Sequence, residues 1–276
     1  MLRGKYKRYQ KLYLYAVDQK SPLLHQIDDE AFIGCWEEED FAVLFFHAPR
    51  DRLVTELLAS IGLRLEEKAA VDFEEWGEGR RIKPFRIGPL VFAPEWEAQE
   101  GDLAFDPGVV FGSGTHPTTR LCLEGLYSLW REKGPFQRIA DLGCGSGLVS
   151  LLAAKLGAEV MALDINPMCV ALTLKNLRQN QLTEKAFVFQ KDVRQALPLK
   201  ADVIVANLFK GLLLELFGLP SFWQSRYYLF TGFVPSMEEE LKTALFPYAQ
   251  LLRREEREGW VLYVAQSKRW EGKEER

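Results

Sequence analysis

The stretch Ile139-Ala-Asp-Leu-Gly-Cys-Gly-Ser-Gly147 reads as a buried strand that breaks into glycines, and residues 148–157 behind it read as a helix. Glycines at the alternate positions 143, 145 and 147 let a ligand come close to the backbone, because no Cβ stands in the way. The next apolar run, 159–163, closes on Asp164. An acidic side chain about 20 residues past such a turn can accept both hydroxyls of a ribose. The chain is therefore expected to hold an adenosine-containing cofactor at the carboxyl edge of a parallel sheet.

The spacing narrows the choice of cofactor. A dinucleotide fingerprint is GxGxxG, whereas this turn is Gly143-x-Gly145-x-Gly147. Asp141 stands two residues before the first glycine. A diphosphate is repelled by a carboxylate that close; a sulfonium and an ammonium are not. S-adenosylmethionine is the better fit. A helix-capping glycine with two tolerated loop glycines gives the same spacing without a ligand, and Asp141 and Asp164 are what favour the cofactor.

Outward from the turn, strand-like runs at 137–142, 158–163, 186–190, 201–207 and 225–231 alternate with helix-like runs at 147–157, 168–180, 209–217 and 236–246. That alternation specifies an α/β fold with a parallel sheet covered on both faces. The end differs: 248–254 and 259–266 flank the charged turn 255–258 and predict an antiparallel hairpin. A doubly wound sheet finished by a hairpin is the layout of the class I methyltransferases, Rossmann-like with seven strands.

Upstream, strands are expected at 10–17, 41–48 and 63–71 and helices at 22–32 and 50–61, a small α+β unit. The expected domains are thus 1–75 for the α+β unit, 76–88 for a linker containing Gly77 and Gly79, and 89–276 for the cofactor domain. A chain of 276 residues can hold one large or two modest domains. A net charge of −4 argues against a general nucleic-acid binder. The three histidines are scattered and the four cysteines show no metal spacing, so no metal is expected and the cysteines read as free thiols of a reducing compartment. Residues 3–11 carry five basic side chains and two tyrosines, no signal-like apolar region is present, and no apolar run approaches 18 residues. The expectations are a cytoplasmic monomer with no membrane association.

Phe111-Gly-Ser-Gly-Thr-His-Pro-Thr-Thr-Arg-Leu-Cys-Leu-Glu124 resembles the segment ahead of the cofactor strand in the ribosomal protein L11 methyltransferases. Further stretches are similar to that family: Arg86-Ile-Gly-Pro-Leu-Val-Phe-Ala-Pro-Glu-Trp96, Ala201-Asp-Val-Ile-Val-Ala-Asn-Leu208, Thr231-Gly-Phe233 and Arg257-Glu-Gly-Trp-Val-Leu262. The resemblance covers roughly 84–266 and is weak before that. It departs at Ser113, where the family has Thr, at Leu208-Phe209, where it has Ile after the Asn, and in a shorter N-terminal unit. It implies methyl transfer from S-adenosylmethionine to amino groups of a protein, ribosomal protein L11 first. Runners-up are a lysine methyltransferase for another protein, a small-amine methyltransferase and a non-catalytic cofactor binder.

The residues expected to touch the cofactor are Thr115, Thr119, Asp141, Gly143, Gly145, Asp164, Asp192 and Asn207, with Thr119 implied by the resemblance. Asn207 is also the expected catalytic residue. It ends a strand at the carboxyl edge, where its side-chain carbonyl can accept from a target amine and aim the lone pair; the competing reading is the N-cap of a helix starting near Phe209. Thr118 or Thr119 is the expected cap of a helix over 121–130. Gly112 and Gly114 are expected to let their segment close as a lid. His116 is either structural or a general base. Asp192 either meets an adenine amino group or makes a turn. Residues 1–75 are expected to recognise the substrate protein, the basic run 3–11 to be a solvated edge strand or an RNA contact, and the acidic run 37–40 to be solvated or to attract a lysine-rich substrate.

Overall fold

The computed structural model describes residues 10–37, 40–76 and 81–270. The basic residues before 10, part of the acidic run at 37–40, the glycines at 77 and 79 and the tail past 270 lie outside the described residues.

The first sheet contains β1 (Lys11–Val17), β2 (Phe32–Glu37), β3 (Ala42–Phe46) and β4 (Leu65–Asp72), antiparallel in the order β2-β3-β1-β4. Successive side chains of a strand point to opposite faces, and this sheet uses both. Tyr15, Val17, Leu44 and Phe46 pack under Val54 and Leu58 of α1 (Asp51–Ile61). Leu12 and Phe45 face the other way and join the core of the larger domain, with Phe73 of the short helix α2 (Phe73–Trp76). The helix expected at 22–32 is not formed. A 3₁₀ turn spans Pro22–Gln26, capped by Ser21. The Asp29 carboxylate then accepts from the Ala31 N–H (2.8 Å), turning the chain into β2. Asp28-Asp29 breaks the helix, and Phe-Ile-Gly-Cys-Trp prefers the pleat.

A small sheet follows: β5 (Phe85–Ile87), β6 (Leu90–Pro94) and β7 (Leu103–Phe105). Its first strand lies inside the stretch 76–88 expected as a linker. Trp76 closes the junction, its indole N–H donating to the Val109 carbonyl (2.9 Å) and its ring meeting Phe45.

The remainder runs α3 (Pro117–Lys133), β8 (Arg138–Leu142), α4 (Leu148–Lys155), β9 (Glu159–Asp164), α5 (Pro167–Gln179), β10 (Ala186–Gln190), β11 (Val203–Asn207), α6 (Lys210–Phe217), β12 (Tyr227–Phe233), α7 (Glu238–Leu245), β13 (Ala249–Arg257) and β14 (Trp260–Ser267). The sheet order is β10-β9-β8-β11-β12-β14-β13, parallel except for the antiparallel pairings of β14. This is the expected doubly wound, seven-stranded α/β sheet with a terminal hairpin. Along β11, Val203 and Val205 enter one core while Ile204 and Ala206 enter the other, so the strand is apolar throughout because both faces are covered. Strand order reverses at β8, which puts a crevice at the carboxyl ends of β8 and β11. Among the described residues no helix is long and apolar enough to cross a membrane.

Candidate active site

The glycine turn joins β8 to α4 at that crevice. Gly143, Gly145 and Gly147 all have positive φ (75°, 54° and 81°), which side-chain-bearing residues rarely adopt. A Cβ on Gly143 lies 2.6 Å from Leu208, and one on Gly145 lies 2.5 Å from the Phe111 carbonyl. The glycines are therefore needed by the protein's own packing as well as by any ligand. The 111–114 segment is fastened here: Ser146 donates its N–H to the Phe111 carbonyl (3.0 Å) and its hydroxyl to the Gly112 carbonyl (2.7 Å). The segment expected as a lid is in this structure a wall tied to the turn. Buried Asn176 of α5 braces the same place, giving its Nδ2 to the Ser146 and Asp106 carbonyls (2.8 and 2.9 Å).

Two carboxylates flank the turn in different states. Asp164, at the end of β9, is half-buried and accepts the Gly145 N–H (3.0 Å) and the Asn166 N–H (2.9 Å), one on each oxygen. It fixes the turn and holds the backbone of Asn166, which caps α5, and its remaining lone pairs suit hydroxyl donors. Asp141 on β8 is 3% exposed and accepts from the Ser150 hydroxyl (2.6 Å). Burial pushes its carboxyl up to about 7, against the help of Ser150. A buried carboxylate so weakly compensated favours a cation beside it. The hydroxyl of Thr119 is buried without a hydrogen-bond partner among the described residues. An orphan of this kind costs roughly 1–3 kcal/mol, which a ligand's polar group would offset. A ligand with hydroxyls and a positive charge matches these three groups.

Asn207 closes β11 opposite Thr231 of β12. The expected alternative, a cap on the following helix, is excluded: α6 begins at Lys210 behind Phe209 with no side-chain cap bond. Instead the Asn207 Nδ2 donates to the Thr118 hydroxyl (3.1 Å). That hydroxyl is paired with His116 Nδ1 (2.7 Å), and the same nitrogen accepts the Thr118 N–H as the N-cap of α3. Because Nδ1 acts as acceptor toward the backbone, the Thr118 hydroxyl proton goes to it and the Asn207 amide donates. The amide nitrogen is thereby fixed, and the side-chain carbonyl oxygen is left to accept from another group. Thr118 and Thr119, expected as caps, lie inside the helix, since Pro117 starts it one residue after His116. His116 is held between the rings of Phe111 and Trp260 (5.0 and 4.7 Å between centroids). Its Nδ1 is taken up by Thr118, and its link to Asn207 runs through the Thr118 hydroxyl.

Thr115 pairs with the Ser113 hydroxyl (2.9 Å) on the tied segment. Asp192 makes a turn: it caps a 3₁₀ turn and takes a forked bond from Arg194, which holds its carboxyl below the usual range. Three large apolar side chains at the carboxyl edge have no site role in the sequence reading: Phe111, Ile165 and Phe209 are 50%, 67% and 68% exposed. Their signal is an apolar residue just past a polar strand end, or opening a glycine-rich segment, where a buried core has no use for it. Contrary to the scattered appearance of the histidines and cysteines, His25, Cys35 and Glu37 gather with ligand atoms within 4.8 Å. His25 is already bonded to Glu37 (3.0 Å), and burial pushes the Cys35 thiol up to about 12, so it stays protonated.

Comparison with known proteins agrees with this geometry. The family described as ribosomal protein L11 methyltransferase matches residues 34–268. A ribosomal protein L11 methyltransferase of Thermoanaerobacter sp. is 32% identical over 89% of this chain and 87% of its own length. That of Caldanaerobacter subterraneus is 33% identical over 73% of this chain and 68% of its own. The crystal structure of a ribosomal protein L11 methylase from Lactobacillus delbrueckii covers 67% of this chain and 99% of its own, with a TM-score of 0.59 at 26% identity.

Proposed function

The chain belongs to the ribosomal protein L11 methyltransferase family, and from that membership we propose that it transfers methyl groups from S-adenosylmethionine to lysine side chains or the N-terminal amine of ribosomal protein L11. The cofactor supplies an electrophilic methyl group on a sulfonium. Asp164 would take its ribose hydroxyls, Gly143 and Gly145 would line its path, and Thr115 and Thr119 would meet its polar end. Asp141 would stand as the carboxylate nearest its positive charge, ionising as that charge arrives.

The chain's own contribution is positional. Holding a nucleophile about 3 Å from an electrophile, and in line with the breaking bond, is worth several orders of magnitude in rate. Asn207 does this with its side-chain carbonyl, which accepts an N–H of the target amine and turns the lone pair toward the methyl. The His116–Thr118–Asn207 relay keeps that carbonyl in one orientation, and this is the observation that carries the proposal. The amine must arrive neutral, and a lysine ammonium has a pKa near 10.4. Burial at the crevice and an acceptor for its N–H favour the free base. The exposed side chains of Phe111, Ile165 and Phe209 would help to exclude water once substrate is seated. A cytoplasmic site of action follows from a ribosomal substrate.

Incubating the protein with methyl-labelled cofactor and purified L11 tests the reading. Label in L11, released as methylated lysine or methylated N-terminal residue, is the expected result. No label under saturating cofactor overturns it, and label in another lysate protein would move the assignment to that protein.

A further inference from the structure

We propose that a cationic cavity beside the active site receives a carboxylate of the protein being methylated, so that an acidic residue near the target amine is part of what this enzyme recognises. The proposal rests on the protein-methylation reading above.

The cavity has a volume of about 420 Å³ and lies where the chain entering β5, the 113–117 segment and the turn between β13 and β14 meet. Its charged lining is Arg81, Lys83, Arg120, Arg257 and Glu258. Two of the four cations are already answered. Arg257 forks onto Glu124 (3.0 and 2.7 Å), and Arg81 reaches Glu97 (3.1 Å). Arg120 and Lys83 have no carboxylate within ion-pairing distance among the described residues.

Arg120 is held in a posture suited to a ligand. Its Nε donates to the Gly114 carbonyl, and its guanidinium lies flat on the Phe85 ring, 3.2 Å from the centroid. The two terminal nitrogens of a guanidinium fixed at Nε form a fork that matches a carboxylate. The group is half-buried, and burial lowers it to about 10, with Arg257 pushing the same way and Glu124 opposing. Lys83 is exposed at the cavity mouth and adds a mobile second charge.

The cavity is separate from most of the cofactor groups. Of the groups assigned to the cofactor only Thr115 lines it, while Asp141, the glycine turn, Asp164, Thr119 and Asn207 do not; the cavity meets the active site through Ser113 to Pro117. Those residues flank His116, whose ring begins the relay to Asn207. An anion in the cavity is therefore a neighbour of the amine-positioning group without occupying the methyl-donor site. An acidic side chain close in sequence to the methylated amine meets that requirement.

Two measurements test it. A fluorescein-labelled pentaglutamate peptide is titrated into the full-length protein and into Lys83→Ala/Arg120→Gln. Tighter binding than a pentaserine control, weakened at least tenfold in the variant and unchanged by saturating S-adenosylmethionine, supports the proposal. With L11 as substrate, the variant should raise KM at least tenfold and leave kcat and cofactor affinity within about twofold. Lys83→Glu, at an exposed position, repeats both readouts should the Arg120 change disturb folding. Unaltered peptide affinity and KM overturn the proposal. So does displacement of the peptide by cofactor with a parallel loss of cofactor affinity, which assigns the cavity to the methyl donor. Specific peptide binding together with no methylation of L11 upholds the cavity and rejects L11 as the substrate.

Discussion

Asn207 and Asp141 carry the sharpest consequences at the scale of single residues. On the proposed mechanism, Asn207→Ala removes the acceptor for the reacting amine and touches cofactor binding only slightly. The single-turnover rate should fall by roughly 100-fold or more, with cofactor affinity changed severalfold at most. The stability loss should be about 1 kcal/mol, one hydrogen bond to Thr118. A variant with wild-type chemistry would leave the relay without a function. In the native enzyme the rate should rise with pH, because only the free amine attacks. Asp141 gives a second signature. Its carboxyl sits near 7 when folded, against 3.8 ordinarily. Between those values the folded state holds a proton that the unfolded chain has released, so this group's stability contribution is lost as pH rises from about 4 to 7. Asp141→Asn abolishes that decline. The cofactor-free variant should match wild type near pH 4 and exceed it at pH 8 by on the order of 3 kcal/mol. Cofactor binding near pH 7 should release a proton in the wild type and not in the variant, read by calorimetry in two buffers of different ionisation enthalpy. Identical thermal midpoints across pH would contradict the assignment. Asp164 and Asn207 were legible in the sequence because each ends an apolar run, which fixes its place at the carboxyl edge. The partner of Asp192 was not: Arg194 is two residues away, and sequence does not tell whether such neighbours turn toward each other.

Elements are held to one another by a few polar fastenings, and Glu238 is the clearest. It opens α7 and is 6% exposed. It receives Arg254 of β13 through a fork (2.6 to 3.1 Å), Lys242 (3.2 Å) and the Tyr263 hydroxyl of β14. Arg254 is the largest influence holding its carboxyl at about 2. A lowered carboxylate stabilises the fold above its ordinary pKa of 4.5, and that contribution is lost as pH falls through about 2. Glu238→Gln should therefore cost about 2–3 kcal/mol at pH 7 and little near pH 2, measured by urea unfolding. An equal cost at both pH values would mean that packing, not charge, is what the residue supplies. The βα alternation was readable from sequence because strands covered on both faces are continuous apolar runs. β2 was not, since Gly34 interrupts its pattern and the apolar residues of 22–32 mimic a helix until the Asp28-Asp29 break. The start of α3 was displaced because His116 is a rarer cap than the threonines that follow it.

At the scale of the whole molecule, a small antiparallel unit packs its outer face on α1 and its inner face on the methyltransferase core. Leu12, Phe45 and Phe73 share that core, and Gly34 leaves only enough room for Met168 of α5, whose side chain would lie 2.9 Å from an added Cβ. The N-terminal unit is thus seated directly on the larger domain. This arrangement lay beyond the sequence reading, as did the cationic cavity: residues 81–83, 113–120 and 257–258 meet only through the tertiary fold. The proposed activity is methylation of amines of ribosomal protein L11 through Asn207. Intact-mass spectrometry of L11 from cells with the gene, without it, and with the Asn207→Ala form tests it most directly. L11 should be lighter by whole methyl increments in the absence of the gene, restored by the wild-type chain and not by the variant; an L11 mass that is the same in all three strains would mean that this chain does not methylate it.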